Sequence, residues 1–140
     1  MSIANLSTAK RFYEIVANHG ELSDILSHDC LWEIIPGFPY GRDYLGLEEI
    51  AFFFESLMKH FDFWEAEAIE FMDAGRDVIV TGNYRTKATV SGESTELRFA
   101  HIWTVEGNQL TKLRHFADTV KLSRILGHNV PTISKLTRII

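Results

Sequence analysis

The stretch Phe99–Asp118 carries two histidines, His101 and His115, on two strand-like runs flanking a tight turn. Histidine is the side chain whose ordinary pKa lies nearest neutrality, so a pair of them suits proton transfer. Along 97–105, Phe99, His101, Trp103 and Val105 share one face; along 110–117, Leu113, His115 and Ala117 share one face. A three-residue loop centred on Asn108 sets His101 directly opposite His115. A two-residue loop, Gly107 and Asn108, sets Arg114 there instead, and the pairing fails. If both imidazoles face an apolar cavity, desolvation and mutual repulsion favour their neutral forms, so one can accept a proton while the other donates. The competing reading is that they are ordinary strand residues.

Other side chains are candidates to line such a cavity. Tyr13 lies on the apolar stripe of a first helix, as a pocket donor or as a core tyrosine whose hydroxyl needs a partner. Trp32 and Glu33 are neighbours on a strand, so only one of them faces inward: Trp32 as a pocket wall, or Glu33 as a general base. Phe54, Tyr84 and Trp103 are core aromatics or ligand contacts. Two histidines give only two metal ligands, with Glu33 a third only by chance of packing, so no metal site is expected. No phosphate loop, nucleophile elbow or metal-spaced Cys/His cluster is present in the sequence, and no cofactor is expected.

The elements that must position these residues follow from periodicity. Leu6, Ala9, Phe12, Tyr13, Val16 and Ala17 predict a helix over 6–18 that ends near Gly20. A short helix is expected over 22–27 and a strand over 30–35, stopping at Pro36. Residues 37–41 read as a loop, and 47–60 as a third helix with one broad apolar stripe. Strands are expected over 64–72, 78–88, 97–105 and 110–117, with turns between them. Asp118 opens a short helix through about Leu126. The tail from Gly127 adds Pro131 and the apolar residues Ile133, Leu136, Ile139 and Ile140. Helices first and antiparallel strands after them indicate an α+β fold, with three N-terminal helices packed in the concave face of a curved, mostly antiparallel sheet.

The chain of 140 residues is a single-domain length, and a hydrophobic fraction of 46% is ordinary for a globular protein. The net charge of -5 argues against nucleic-acid binding. Residues 1–75 hold 14 acidic and 4 basic side chains, whereas residues 76–140 hold 5 and 10, which reads as helix surface against sheet surface. Cys30 is the only cysteine, which fits a reducing cytoplasm. The first residues lack the pattern of a signal peptide, and no apolar run is long enough to span a bilayer, so a cytoplasmic protein without membrane contact is expected.

Several stretches together resemble a known family. Residues 11–20 resemble the first helix of ketosteroid isomerase and the SnoaL-like polyketide cyclases, whose cone-shaped fold is shared by nuclear-transport-factor-like proteins. Residues 40–46 resemble that family's loop into the third helix, and 99–107 with 113–118 its last hairpin. The likeness covers roughly 5–126 and is strongest to the bacterial ketosteroid-isomerase-related proteins. It implies one SnoaL-like domain over 1–140, with 127–140 a C-terminal tail. It also implies an apolar pocket for a small apolar molecule and a homodimer paired through the open sheet face. In the isomerases an aspartate before a proline moves the proton; here that proline resembles Pro36, and Ile35 stands where the base is expected. Tyr13 matches the isomerases' oxyanion-hole tyrosine, and His101 sits at or beside the position of their protonated aspartate. The cyclases place a histidine and an aspartate on the last two strands, which His101 and His115 resemble by position. The resemblance therefore implies cofactor-free acid-base chemistry centred on His101 and His115, or a ligand-binding or dimerisation module without chemistry.

Overall fold

The computed structural model describes residues 3–127. In chain order it contains α1 (Ile3–Ala17), a single 3-10 turn (Leu22–Asp24), β1 (Leu26–Ile34), β2 (Asp43–Leu45), α2 (Gly46–Met58), β3 (Phe61–Ala74), β4 (Asp77–Ala88), β5 (Ser94–Glu106), β6 (Gln109–Ala117) and α3 (Thr119–Leu126). The strands form one six-stranded sheet in the order β2-β1-β6-β5-β4-β3. Every neighbouring pair is antiparallel except β1 with β6. This is the expected α+β class, with α1 and α2 packed on one face of the sheet. The expected contacts of Ile133, Leu136, Ile139 and Ile140 lie outside the described residues.

The apolar stripes explain which faces are buried. α1 turns Ala9 and Phe12 inward, and α2 turns Ile50, Phe53 and Leu57 inward. β4 alternates strictly, burying Val78, Val80, Tyr84, Thr86 and Ala88 with Gly82 in the same row. Leu97, Phe99, His101 and Trp103 form the matching row on β5. Gly82 is required by close approach: a Cβ there would stand 2.0 Å from the Glu67 carbonyl oxygen and 2.8 Å from the Phe99 ring. A register shift between Ala68 and Glu70 of β3 lies beside it, and β3 packs against both α1 and α2.

Two expected elements differ. The helix expected over 22–27 is only the turn Leu22–Asp24, and the chain already runs as strand from Leu26. Six residues are too few to hold a helix alone, and Leu26 gains a buried place beside Leu110 of β6 instead. The loop expected over 37–41 is followed by β2, which pairs Tyr44 with Trp32 and buries Tyr44 fully. A three-residue strand leaves no periodic signature; only its ladder defines it. The last helix begins where Asp118 predicts it: the Val120 and Lys121 backbone N–H groups donate to Asp118 Oδ1 at 3.2 and 3.4 Å, a cap worth about 1 kcal/mol.

The hairpin between β5 and β6 follows neither of the two alternatives posed by the sequence. Its turn has two residues, with Glu106 opposite Gln109 and Gly107 at φ 64°, as a II′ hairpin turn requires. That loop alone would set Arg114 against His101. A bulge corrects it: Val105 faces Leu110 but Thr104 faces Lys112, leaving Thr111 as the extra residue. From there on the register is shifted by one, and His101 faces His115. No turn residue announces such a bulge in the sequence.

Candidate active site

β5 and β6 place His101 and His115 side by side on the inward face, each only 4% exposed, with ring centroids 5.2 Å apart. They do not bond to each other. Tyr84, two positions along β4 from Gly82, lays its ring against Phe99 and brings its hydroxyl between the imidazoles. Tyr84 Oη is 2.6 Å from His101 Nε2 and 3.0 Å from His115 Nε2. From α1, Tyr13 Oη reaches His101 Nδ1 at 2.6 Å, and the Trp103 indole N–H donates to the same oxygen at 2.9 Å. Five side chains from four elements thus form one unbranched line: Trp103, Tyr13, His101, Tyr84, His115.

Burial sets the charge state of that line. Desolvation is the main cause that holds His101 well below the ordinary imidazole range, with the neighbouring His115 adding to it. Burial likewise lowers His115 to about 3, against a smaller opposing contribution from its own backbone. The phenols of Tyr13 and Tyr84 are pushed up by desolvation, so both stay protonated. At neutral pH the whole line is uncharged, with mobile protons only along its hydrogen bonds.

The line runs along the wall of a cavity of about 60 Å³. Trp32, Phe53, Phe54, Trp64 and Leu113 contribute apolar surface to it. Phe38 closes one side, its ring edge-on to His115 at a centroid distance of 4.6 Å. The loop that carries Phe38 is pinned by Tyr40, whose hydroxyl is 2.8 Å from His60 Nε2, and by Tyr44, whose hydroxyl donates to the Tyr40 carbonyl. Gly41 must be glycine there, since a Cβ would stand 2.0 Å from the Ile35 carbonyl oxygen. Phe54 also borders a shallower groove of about 420 Å³ between α2 and the 20–23 turn.

Among the residues that line the cavity, two side-chain nitrogens are buried without a hydrogen-bond partner among the described residues: His115 Nδ1 and Trp32 Nε1. The Trp32 indole N–H does face the Cys30 thiol, partly offsetting the burial that raises that thiol to about 12. The only contact of this kind that His115 has is with its own backbone, and its Nδ1 makes no hydrogen bond. A buried polar group left this way costs about 1–3 kcal/mol.

The structure brings together Tyr13, Trp32, Phe54, Tyr84, Trp103, His101 and His115 around one cavity. Glu33 is not among them, which corrects its expected place in the site. It lies on the opposite face of β1, 3.7 Å from Lys112 Nζ, because Trp32 takes the inward position and strand alternation sends its neighbour out. Nor does the cavity include Ile35. Sequence reasoning missed the bridging role of Tyr84, which it read only as a wall aromatic, and missed Phe38, which it left in a loop. Inward alternation with Val78 and Val80 marks the face of Tyr84; the hydroxyl's meeting with two histidines depends on the bulge at Thr111. Among the described residues, no group of three His, Cys, Asp or Glu side chains is placed to hold a metal ion. No described helix is long and apolar enough to cross a membrane.

The model of the SnoaL-like domain matches residues 9–113. An NTF2-like protein of unknown function from Burkholderia pseudomallei superimposes with a TM-score of 0.81 at 25% identity, over 91% of this chain and 99% of that one. TerC, co-crystallised with polyporic acid, gives 0.79 at 20% identity, over 88% and 98%. A candidate SnoaL-like polyketide cyclase from Jannaschia sp. CCS1 gives 0.75 at 15% identity, over 89% and 92%. The last two likenesses establish the fold alone. No match was found among curated proteins.

Proposed function

The chain belongs to the SnoaL-like domain family, and on that premise we propose that it binds a small apolar molecule in the cavity and shifts a proton on it with His101 and His115, without a cofactor. The family and fold are of the isomerase, cyclase or ligand-binding kind. The observation that carries the finer reading is the placement of two buried, neutral imidazoles, joined by one tyrosine hydroxyl, on an otherwise apolar wall. Such groups accept or donate a proton without first losing a hydration shell. Steroid isomerisation by an aspartate before the proline is disfavoured, because Ile35 supplies no base and lies outside the cavity wall. Trp32, Phe54, Tyr84 and Trp103 would hold the ligand's apolar body, and Tyr13 would support His101.

The volume bears on ligand size. Pockets for drug-sized molecules run to about 300–1,000 Å³, and this one is far smaller. Either the ligand is small, or half-buried Phe54 turns aside and joins the cavity to the groove beyond it. The same small volume favours a second reading, in which the line of hydrogen bonds fixes the core of a non-catalytic binding or dimerisation module. The two separate on turnover. Against a panel of polyketide-like and terpenoid-like ketones, loss of an acid-base group should lower kcat by roughly 10²–10⁴ in His101→Ala and His115→Ala. Unchanged turnover in both variants, or no turnover in the parent chain, leaves the module.

Pairing of two copies through the outward sheet face belongs to this proposal. Ile79, Ala100 and Ile102 lie half-buried there, with Phe116 44% exposed beside them. An acidic balance and a single cysteine fit a cytoplasmic protein that does not bind nucleic acid.

A further inference from the structure

We infer that the buried line of hydrogen bonds has one direction, and that it delivers a donor, the Nδ1–H of His115, to a hydrogen-bond acceptor on the ligand, a carbonyl or enolate oxygen. The inference rests on the proposed binding role of the cavity, but its first part is independent of any ligand.

The direction follows from counting protons. The Trp103 indole can only donate, so Tyr13 Oη accepts from it and is free to send its own proton to His101 Nδ1. His101 then carries its proton on Nε2 and donates to Tyr84 Oη. The Tyr84 proton goes on to His115 Nε2, so the remaining His115 proton sits on Nδ1. All four contacts are made, and one group alone is left over. Reversing the line from His115 to Tyr13 also makes four contacts, but it strands the Tyr13 proton and leaves the Nδ1 lone pair bare. Letting both histidines donate to Tyr84 strands the Tyr84 proton and again leaves the Nδ1 lone pair bare. Buried polar groups are rarely left unpaired, so the arrangement with one unpaired group prevails over those with two.

The group left over is chemically specific. His115 is 4% exposed, borders the cavity, and its Nδ1 has no partner among the described residues. A neutral donor on an apolar wall favours a ligand atom that is an acceptor, and favours it more as negative charge gathers on that oxygen. It gives nothing to a hydrocarbon or to a ligand offering only donors. In the resting state His115 is thus the donor of the pair. A base is reached only by reversing the line: the protons of Tyr13, His101 and Tyr84 each move one step toward His115, the Nδ1 proton of His115 leaves to the ligand, and one proton returns to Tyr13, so that Nδ1 can accept only after it has first donated.

The test reads tautomers directly. The ¹⁵N side-chain shifts of the histidines, assigned with His101→Gln and His115→Gln, should show opposite tautomers at neutral pH: Nε2–H for His101 and Nδ1–H for His115. The same tautomer in both, or a charged ring in either, overturns the direction. Tyr84→Phe cuts the line and should remove the bias, converting a substantial share of His115 to Nε2–H; a His115 spectrum unchanged in that variant also overturns it. Cyclohexanone and methylenecyclohexane, alike in shape but with and without an acceptor, test the ligand class. The ketone should shift the His115 Nδ1–H signal and bind at least tenfold tighter than the hydrocarbon. Equal binding, or no ketone-dependent shift up to the solubility limit, overturns the acceptor class. Because the tautomer spectra need no turnover, failure of the direction and failure of the proposed function are told apart.

Discussion

His101 and Ile102 are neighbours in sequence and belong to two different chemistries. On the inward face of β4–β6, His101 sits between Val80 and His115, bonded on both nitrogens to neutral partners. On the outward face, Ile102 sits between Ile79 and Arg114, which pairs with Asp77 at 3.5 Å, and it shares that face with the Lys112–Glu33 and Arg85–Glu65 ion pairs. The polar groups inside are uncharged and out of water; those outside are charged and about one-third to two-thirds exposed. Burial makes each inner contact costly to leave unmade, while water stands ready to replace each outer one. The contrast teaches that polarity alone says little about what a contact is worth.

The largest break in that contrast should come from His101→Ala. It removes the acceptor of the Tyr13 proton and a donor to Tyr84, and opens a cavity in a closely packed wall. We expect a loss of about 2–4 kcal/mol in urea unfolding, against less than about 1 kcal/mol for Ile102→Ala measured at equal protein concentration. Losses within error of each other would remove the distinction between the faces.

The next effect is a slope. His101 and His115 have folded-state pKa values held below the ordinary 6.5 of an unfolded imidazole, His115 at about 3. Above pH 6.5 neither state binds the extra proton, and stability is at its plateau. As pH falls below 6.5 the unfolded chain takes up protons that the folded wall refuses, so stability declines with falling pH. For His115 the decline continues to about pH 3, with a limiting slope of about 1.4 kcal/mol per pH unit for each histidine. His115→Gln should flatten the curve between pH 5 and 4 by about one such increment, and an unchanged slope would show that His115 is already charged or reached by water.

How much of this was legible beforehand divides along the same two faces. Alternation on the strands and the helical stripes located the α+β fold and put His101, His115 and Trp103 on one side, because burial imposes those periods on the chain. Alternation also guaranteed that Trp32 and Glu33 part company, but not which goes in; the pairing of Trp32 with Tyr44 on a three-residue strand decided it. The meeting of the histidines depended on one extra residue, Thr111, which no local preference marks. Tyr84 as a bridge to both histidines needed that bulge, while Gly82 lets β3 and the Phe99 ring come close to β4. Tertiary register, rather than residue type, wrote the last step of the site.

A smaller effect sharpens the outward face. If two copies pair there, Ile102→Lys places a charge at the centre of the contact, with Phe116 beside it. The dimer should weaken at least tenfold, about 1.4 kcal/mol, in light scattering over a dilution series, while the monomer's cavity spectra stay unchanged. A dimer of undiminished strength would place the interface elsewhere.

The smallest effect tests the claim that outer charges are cheap where it is most exposed to failure. Arg85 touches carboxylates on both neighbouring strands, Glu65 at 3.5 Å and Glu96 at 3.8 Å, so it is the outer contact best placed to act as a network rather than a pair. Its own side chain is 54% exposed and its partners 63% and 52%, which leaves water able to solvate all three when the pairing is lost. Arg85→Met keeps the apolar stem and removes the charge, and should change stability by no more than about 0.5 kcal/mol at physiological salt. The difference should shrink further at 1 M salt, where the screening length falls to about 3 Å. A loss above about 1 kcal/mol that persists in salt would mean that the three charges are held as rigidly as the inner line. The cost of a contact would then follow from how firmly its partners are fixed, and burial would be only the commonest way of fixing them.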